Sequence, residues 1–236
     1  AQGNDSTLTL VLLPRLDRMT LQGAWFGALD AYGATVKVDT AQVTEPPFRT
    51  KSLREQGAKD SIAEAAAAMV SPAAAVALMG GSSVYALAQK LREIPHLTIV
   101  TNSVPISDLY AQEQRGDQTV VLTGGFRTPT DSLVGKITSE VFSRFNLDLV
   151  FMGTHGMDVS GGYSSPNLLE AETNRAVREK ARRLIMLADH TKWGEVGFST
   201  FAELSDADLL ITDNLLPTEA IEILKRHVAE VEVVST

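Results

Sequence analysis

Short apolar runs alternate with helical patterns along almost the whole chain, and this rhythm constrains the fold more than any other feature of the sequence. The runs are apolar at consecutive positions, as expected for strands buried on both faces of a parallel sheet. The predicted strands cover residues 8–13, 36–39, 74–79, 98–100, 120–123, 149–152, 184–188, 209–212 and 231–234. The predicted helices cover residues 20–32, 55–70, 83–93, 104–112, 132–144, 167–182 and 217–227. The sequence therefore predicts an α/β fold with a Rossmann-like, largely parallel sheet and helices on both faces.

Composition and charge argue against several classes of protein. The chain has 236 residues, of which 44% are hydrophobic and 21% charged, which is typical of a globular protein. Its formal net charge is −8 and no run of Lys or Arg is present, so it lacks the electrostatic footprint of a DNA-binding surface. It contains no cysteine, which excludes disulfides and thiolate metal sites, and we expect a cytoplasmic location. No apolar run reaches membrane-spanning length, so no membrane contact is expected.

The junction VALMGGSSVYALAQKL, residues 76–91, runs from an apolar stretch through two glycines and two serines into a helical pattern. A strand that turns into a helix here leaves backbone N–H groups without partners at the helix start, and such groups favour a phosphate or a carboxylate. The candidate residues are Gly80, Gly81, Ser82 and Ser83. The simpler interpretation stays open, in which the glycines form a tight turn and a serine caps the helix.

Small, hydroxylated or charged residues also follow four further predicted strands. These candidates are Thr101, Asn102, Ser103, Gly124, Gly125, Arg127, His155, Gly156, Asp189 and Lys192. Each has an ordinary alternative as a helix cap, a turn or a surface residue. Because ligands bind at the carboxyl ends of strands in open parallel sheets, these loops are expected to converge on one edge. Hydroxyls and helix starts would hold a phosphate there, and Arg127 or Lys192 would supply the counter-charge. We therefore predict a small, polyhydroxylated and phosphorylated ligand.

The same strand ends carry a family resemblance. The segments are GGSS, LTIVTNSVPI, VVLTGGFRTPTDSLVG, FMGTHGMDVSGGYSSPNLLEAETNR and LADHTKWG, with LSDADLLITD after them and VTEPPFRTKSLREQGAKDSIAEAAAAMV upstream. Over about residues 43–236 they resemble, in the same order, the effector-binding domain of DeoR-type bacterial transcriptional regulators. The resemblance implies a sugar-phosphate sensor. Its fold would be similar to that of ribose-5-phosphate isomerases and to the nucleotide-binding half of coenzyme A transferases.

The first part of the chain departs from the family pattern, in which a DNA-binding helix-turn-helix precedes the sensor domain. The segment STLTLVLLPRLDRMTLQGAWFGALDAYGATVKVD is typical of strand, helix and strand. We therefore divide the chain into residues 1–42, of unassigned role, and residues 43–236, the effector-binding domain. Either the DNA-binding unit has been removed or a different unit takes its place. The start, AQGNDSTLTL, has neither a Met nor the basic region of a signal peptide, and we expect it to be a trimmed end.

An enzyme is the main alternative to a sensor. Converting an aldose phosphate to a ketose phosphate needs a base, and a cation or acid to stabilise the enediolate oxygen. Glu170 with Lys192 could form such a pair, with His155 as a substitute base. The corresponding isomerase motif is rich in acidic residues and lysine where this chain has His155 and Asn174, so sensing is favoured over catalysis. Glu170 then binds a sugar hydroxyl, or simply occupies the first turn of its helix.

We accordingly expect a bacterial transcriptional regulator, acting as a repressor, and no catalytic residues. The expected partners are a sugar phosphate, other copies of the chain in a homo-oligomer, and operator DNA only through a helix-turn-helix that is not evident in this chain. No cofactor and no metal ion are expected, because the four histidines are not at metal-ligand spacing. A stand-alone sugar-binding module without a DNA role stays open as a further alternative.

Overall fold

The computed structural model describes residues 47–112 and 115–236. All of them belong to one compact unit, Gln42–Thr236. The elements predicted at residues 8–13, 20–32 and 36–39, and with them the N-terminal segment 1–42, lie outside the described residues.

The described residues form seven helices and twelve strands. The helices are α1 (Phe48–Ser52), α2 (Gln56–Ala67), α3 (Ser82–Leu91), α4 (Val104–Gln112), α5 (Lys136–Phe142), α6 (Leu168–Arg178) and α7 (Thr218–His227). The strands are β1 (Ala75–Leu78), β2 (Thr98–Thr101), β3 (Thr119–Leu122), β4 (Phe126–Arg127), β5 (Leu133–Val134), β6 (Leu149–Gly153), β7 (Gly156–Asp158), β8 (Gly162–Ser165), β9 (Leu184–Leu187), β10 (Ser199–Ala202), β11 (Leu209–Asp213) and β12 (Val231–Val234). Two short 3₁₀ turns cover His190–Lys192 and Leu204–Asp206.

Seven strands form one sheet in the order β12-β11-β9-β6-β1-β2-β3, and every neighbouring pair is parallel. Within the described residues, the first strand, β1, lies in the interior of the sheet, and β2 and β3 follow outwards on one side. The chain then returns to the other side of β1 and continues through β6, β9, β11 and β12. The order therefore reverses between β1 and β6, which makes this pair of strands the topological switch point. The prediction of a Rossmann-like, largely parallel sheet is confirmed.

Apolar side chains from consecutive strand positions pack on opposite faces of this sheet. Val150 and Met152 of β6 join a buried cluster that includes Val177 of α6. Phe151, between them, joins a second cluster that includes Leu87 of α3. Each strand of the interior thus needs apolar residues at successive positions, which is why the strands appear in the sequence as unbroken apolar runs.

Two small antiparallel sheets stand beside the main sheet. Strands β10, β8 and β7 form one, and β4 with β5 forms a hairpin. The prediction of a helix from residue 132 was wrong at its start, because Leu133 and Val134 pair with β4. The helix begins only at Lys136, after Gly135, whose φ of 99° favours glycine.

The helices of the described part of the chain are all too short or too polar to cross a membrane.

Candidate functional site

A cavity of about 40 Å³ lies at the switch point, against the loops that follow β1 and β6. Its lining combines small, hydroxylated and charged side chains. The lining residues are Lys51, Gly80, Gly81, Ser82, Ser83, Gly153, Thr154, His155, Ser165, Glu170, Asn174, Lys192 and Phe201. In open α/β sheets this is the position at which ligands bind, so topology and lining chemistry point to the same place.

The loop after β1 forms one wall of the cavity and leads directly into α3. The Gly80 amide donates a hydrogen bond of 2.8 Å to Oδ1 of Asn102. A Cβ atom at Gly80 would stand 2.0 Å from Oγ of Ser132, so the chain passes too close to its neighbour for any side chain. Gly81 then occupies the N-cap of α3 with φ 155°, and it offers no side-chain cap. The first N–H groups of α3 therefore remain available at the cavity wall, where the positive end of the helix dipole also lies.

Glu170 provides a carboxylate to the cavity lining. It lies in the first turn of α6, whose N-cap Asn167 accepts hydrogen bonds from the amides of Leu169 and Glu170. Oε1 of Glu170 accepts from the hydroxyls of Thr128, at 2.9 Å, and Thr130, at 2.5 Å. These bonds fix the carboxylate in one orientation while it lines the cavity. Such a group can accept a hydrogen bond from a ligand hydroxyl.

Two lysines bring positive charge to the lining. Lys51 comes from α1, and Lys192 ends the 3₁₀ turn His190–Lys192. Asp189 caps this turn, since its Oδ1 accepts hydrogen bonds from the amide of Thr191, at 3.0 Å, and from the Thr191 hydroxyl. Together with the start of α3, the lysines make the cavity suitable for an anion.

His155 lies at the carboxyl end of β6, between Thr154 and Gly156. Its amide donates to the carbonyl of Ser164 at 3.1 Å, which ties the loop to β8. The Thr154 hydroxyl donates to the Gly156 carbonyl at 2.7 Å, so the loop is held from both sides. The loop that carries the His155 imidazole is therefore held in place by hydrogen bonds on both sides of His155.

The predicted site residues divide into three groups. Gly80, Gly81, Ser82, Ser83, His155, Glu170 and Lys192 meet at the cavity. Thr101, Asn102 and Ser103 are buried behind it, where they connect backbone segments. The Thr101 hydroxyl donates to the Leu78 carbonyl at 2.6 Å, and Nδ2 of Asn102 donates to the Leu133 carbonyl at 2.8 Å. These residues support the loops that form the cavity.

The remaining predicted residues have other surroundings. Gly124 and Gly125 precede the β4–β5 hairpin, and a Cβ at Gly125 would lie 2.6 Å from the Val134 carbonyl. Arg127 lies on β4, 60% exposed, and forms an ion pair of 2.8 Å with Asp131. Gly156 packs against the backbone of Glu195, and Asp189 is buried beneath its turn. Ligand binding by these residues stays a prediction.

Sequence reasoning missed several lining residues. They are Lys51, Gly153, Thr154, Ser165, Asn174 and Phe201. Ser165 had a local signal, since it belongs to the polar run GGYSSPN that precedes α6. Lys51 had no sequence signal apart from its basic neighbours. It precedes β1 by more than twenty positions and reaches the site only through the packing of α1.

The switch-point cavity is a candidate site because of its position and lining, not because of its size. A larger one, of about 370 Å³, lies at the β3 edge of the sheet against α4, lined by residues such as Tyr110, Gln118 and Leu122. It contacts the side of an edge strand, not the carboxyl ends of neighbouring strands, so it lacks both a helix start and the switch-point topology. Within residues 47–112 and 115–236, no group of three or more His, Cys, Asp or Glu side chains could hold a metal ion.

The sequence matches a family model described as the DeoR C-terminal sensor domain over residues 54–214. The chain belongs to this family. It is 32% identical to the HTH-type transcriptional regulator GlpR of Haloferax volcanii over 193 residues, which are 81% of this chain and 74% of GlpR. It is also 25% identical to the glycerol-3-phosphate regulon repressor of Escherichia coli K12, over 79% of this chain and 73% of the repressor. The chain thus spans about three quarters of each relative.

Membership of the DeoR sensor family confirms two predictions made from the sequence. The chain is the sensor domain of a transcriptional regulator, and it is not an isomerase. Among solved structures, ribose 5-phosphate isomerase A from Methanocaldococcus jannaschii is similar with a TM-score of 0.43 and 15% identity, over 59% of this chain and 55% of the isomerase.

Proposed function

We propose that this DeoR sensor domain binds a phosphorylated sugar, or a related small carbohydrate phosphate, in the switch-point cavity. The observation that carries the proposal is that the cavity lining combines two kinds of group. The start of α3 with Lys51 and Lys192 supplies hydrogen-bond donors and positive charge, and Glu170 supplies a hydrogen-bond acceptor. A molecule with a phosphate at one end and hydroxyls along its length matches both.

The phosphate would lie against the loop from Gly80 to Ser83. Backbone N–H groups at the start of α3 would donate to its oxygens, and the Ser82 and Ser83 hydroxyls are close by. The amides offset a dianion only in part, so the ammonium groups of Lys51 and Lys192 would supply the remaining charge. An unphosphorylated sugar would lack the group that these donors and charges would bind.

The sugar would extend towards α6. Glu170 would accept a hydrogen bond from one hydroxyl, since its carboxylate is already oriented by Thr128 and Thr130. Asn174, one helical turn after Glu170, and His155 line the same region and can each donate or accept. These three polar groups would discriminate between sugars that share a phosphate.

The wider function follows from the family. We infer that the ligand acts as an effector that changes binding of the whole regulator to operator DNA, and that the regulator is a repressor working in the cytoplasm as a homo-oligomer. The family match and the regulators among its relatives support this inference. DNA contact would come from a helix-turn-helix unit, since the sensor chain is acidic, with a net charge of −8.

The test compares matched pairs of compounds on one protein sample. Glycerol and glycerol 3-phosphate, fructose and fructose 1-phosphate, and glucose and glucose 6-phosphate are each added at increasing concentration while thermal unfolding is followed. A ligand that binds only the folded state stabilises it by about 2.7 kcal/mol at a hundred times its Kd. We expect at least one phosphate to raise the Tm and its unphosphorylated partner to leave the Tm unchanged.

Calorimetric titration then measures the affinity of each compound that raises the Tm. Sodium sulfate at equal ionic strength serves as the control for a general effect of anions on stability. Equal responses to a sugar and its phosphate, or to the phosphate and sulfate, would contradict the proposal.

A further inference from the structure

Helix α1 is the least embedded wall of the cavity. It has only five residues, Phe48–Ser52, and none of them is buried. On one side the Phe48 ring meets the ring of Tyr85 in an edge contact with centroids 5.2 Å apart. A helix so short and so exposed cannot be stable alone, so its position depends on the few groups that hold it.

The C-terminal end of α1 is held by a buried lysine on the next helix. Lys59 of α2 is only 5% exposed. Its Nζ donates hydrogen bonds to the carbonyl of Lys51, at 2.8 Å, and to the carbonyl of Arg54. The last carbonyls of a helix have no partner within the helix and carry the negative end of its dipole. The Lys59 ammonium therefore satisfies the end of the helix that carries Lys51.

The same ammonium lies close to the second lysine-bearing segment. Burial lowers the pKa of Lys59, the Asp189 carboxylate opposes this shift, and the charges of Lys192 and Lys51 add to it. Asp189 caps the turn that ends at Lys192. The charges of both segments that line the cavity therefore act on Lys59, and its side chain lines a neighbouring groove together with Ser52.

We propose that Lys59 is a positioning residue of the effector site, which holds the end of α1 so that Lys51 forms the cavity wall. The inference rests on the proposed function for its effect on ligand binding, but not for its effect on α1. Lys59 acts through Lys51, because it contacts the Lys51 carbonyl while Lys51 itself lines the cavity.

The first experiment needs no ligand. Trypsin cleaves after Lys and Arg, and α1 with the residues after it offers Arg49, Lys51 and Arg54 as sites. Limited digestion compares the wild-type chain with Lys59→Met and with the control Lys90→Met, whose lysine is exposed on α3. We expect cleavage at these three sites to be several-fold faster in Lys59→Met and unchanged in Lys90→Met. Equal rates in wild type and Lys59→Met, whether both fast or both slow, would overturn the proposal.

The second experiment is a double-mutant cycle on binding, with glycerol 3-phosphate and inorganic phosphate as probes. In the wild-type background Lys59→Met is expected to lower affinity at least about tenfold, the effect of losing one hydrogen bond to a charged group. In a Lys51→Met background the same change should have no further effect, because the group it positions is gone. In a Lys192→Met background the loss should persist.

The pattern across backgrounds distinguishes a positioning role from other roles. An equal loss with and without Lys51 would show a general structural role or direct contact with the probe, and would overturn the proposal. If wild type binds neither these probes nor any compound of the panel, the proposed function fails while the digestion result still decides the role of Lys59 at α1. Circular dichroism checks the fold, and Lys59→Gln, which keeps a neutral donor, replaces Lys59→Met if the latter does not fold.

Discussion

Replacing Gly80 by Ala tests whether the cavity wall is as closely packed as the structure indicates. The added Cβ would stand 2.0 Å from Oγ and 3.0 Å from Cβ of Ser132. Ordinary contact between such atoms begins at about 3.5 Å, so the Oγ contact alone requires a shift of about 1.5 Å. Rotation about χ1 moves the Ser132 hydroxyl away but leaves the 3.0 Å contact with its Cβ, because the Ser132 carbonyl accepts a 2.8 Å bond from the amide of Thr128 and so holds the backbone. Overpacking of this kind costs about 1 to 3 kcal/mol, and we expect Gly80→Ala to destabilise the domain by that amount.

The measurement is the free energy of unfolding in urea, followed by circular dichroism. The matched control is Gly57→Ala in α2, where a Cβ meets nothing within 4 Å. That change should leave stability unchanged or raise it by up to about 1 kcal/mol, because alanine favours a helix over glycine. The same chemical change is therefore predicted to have opposite effects at the two positions.

A second substitution identifies the cause of the loss. Combining Gly80→Ala with Ser132→Ala removes the 2.0 Å contact and leaves the 3.0 Å contact between Cβ atoms. The double variant should recover more than half of the stability that Gly80→Ala loses, relative to Ser132→Ala alone. If Gly80→Ala is as stable as wild type, or if Ser132→Ala gives no recovery, the argument from close approach is refuted.

Two further predictions concern charge. Lys192→Met should weaken binding of the phosphorylated ligand by about 1.5 to 3 kcal/mol in calorimetry with the fold intact, while Lys225→Met, at an exposed position of α7 outside the cavity lining, should leave affinity unchanged. Equal losses of affinity in the two variants would refute the assignment of Lys192 to the ligand. Burial raises the pKa of Tyr110 and Tyr163 above the unfolded value, so the stability that their neutral forms contribute is complete below about pH 10 and is lost as the pH rises further. The urea midpoint of unfolding should therefore decrease as the pH rises above about 10, and it should decrease less steeply after both tyrosines are changed to Phe. Identical slopes against pH in the wild type and the double variant would contradict this expectation.

The main sheet was predictable because its interior strands bury both faces. Ala75–Leu78 and Leu184–Leu187 are unbroken apolar runs. The small antiparallel sheets were not predictable in the same way. Gly162–Ser165 is fully buried, yet its sequence GYSS has little apolar character, since it packs by close approach of backbones. Hydrophobic periodicity carries no signal for such a strand.

The candidate site was predictable only where its residues directly follow strands of the main sheet. Gly80 and His155 were found because they stand at the carboxyl ends of β1 and β6. Arg127 satisfied the same rule of position, but the β4–β5 hairpin places it beside Asp131. Lys51 does not follow a strand of the main sheet, so the rule of position does not find it. Its place depends on the hydrogen bond from the Lys59 side chain to its carbonyl, and no sequence pattern indicates such a contact.

The interior position of β1 determines when the site can form during synthesis. One edge of β1 can pair with β2 almost at once, since only α3 separates the two strands along the chain. The other edge of β1 pairs with β6, so Val76 can pair with Leu149 only after β6 has been synthesised. Until then a nascent chain exposes an apolar, unpaired strand edge, the kind of edge that promotes aggregation. Lys192 follows later still, so the lining of the cavity is complete only after most of the sensor has left the ribosome.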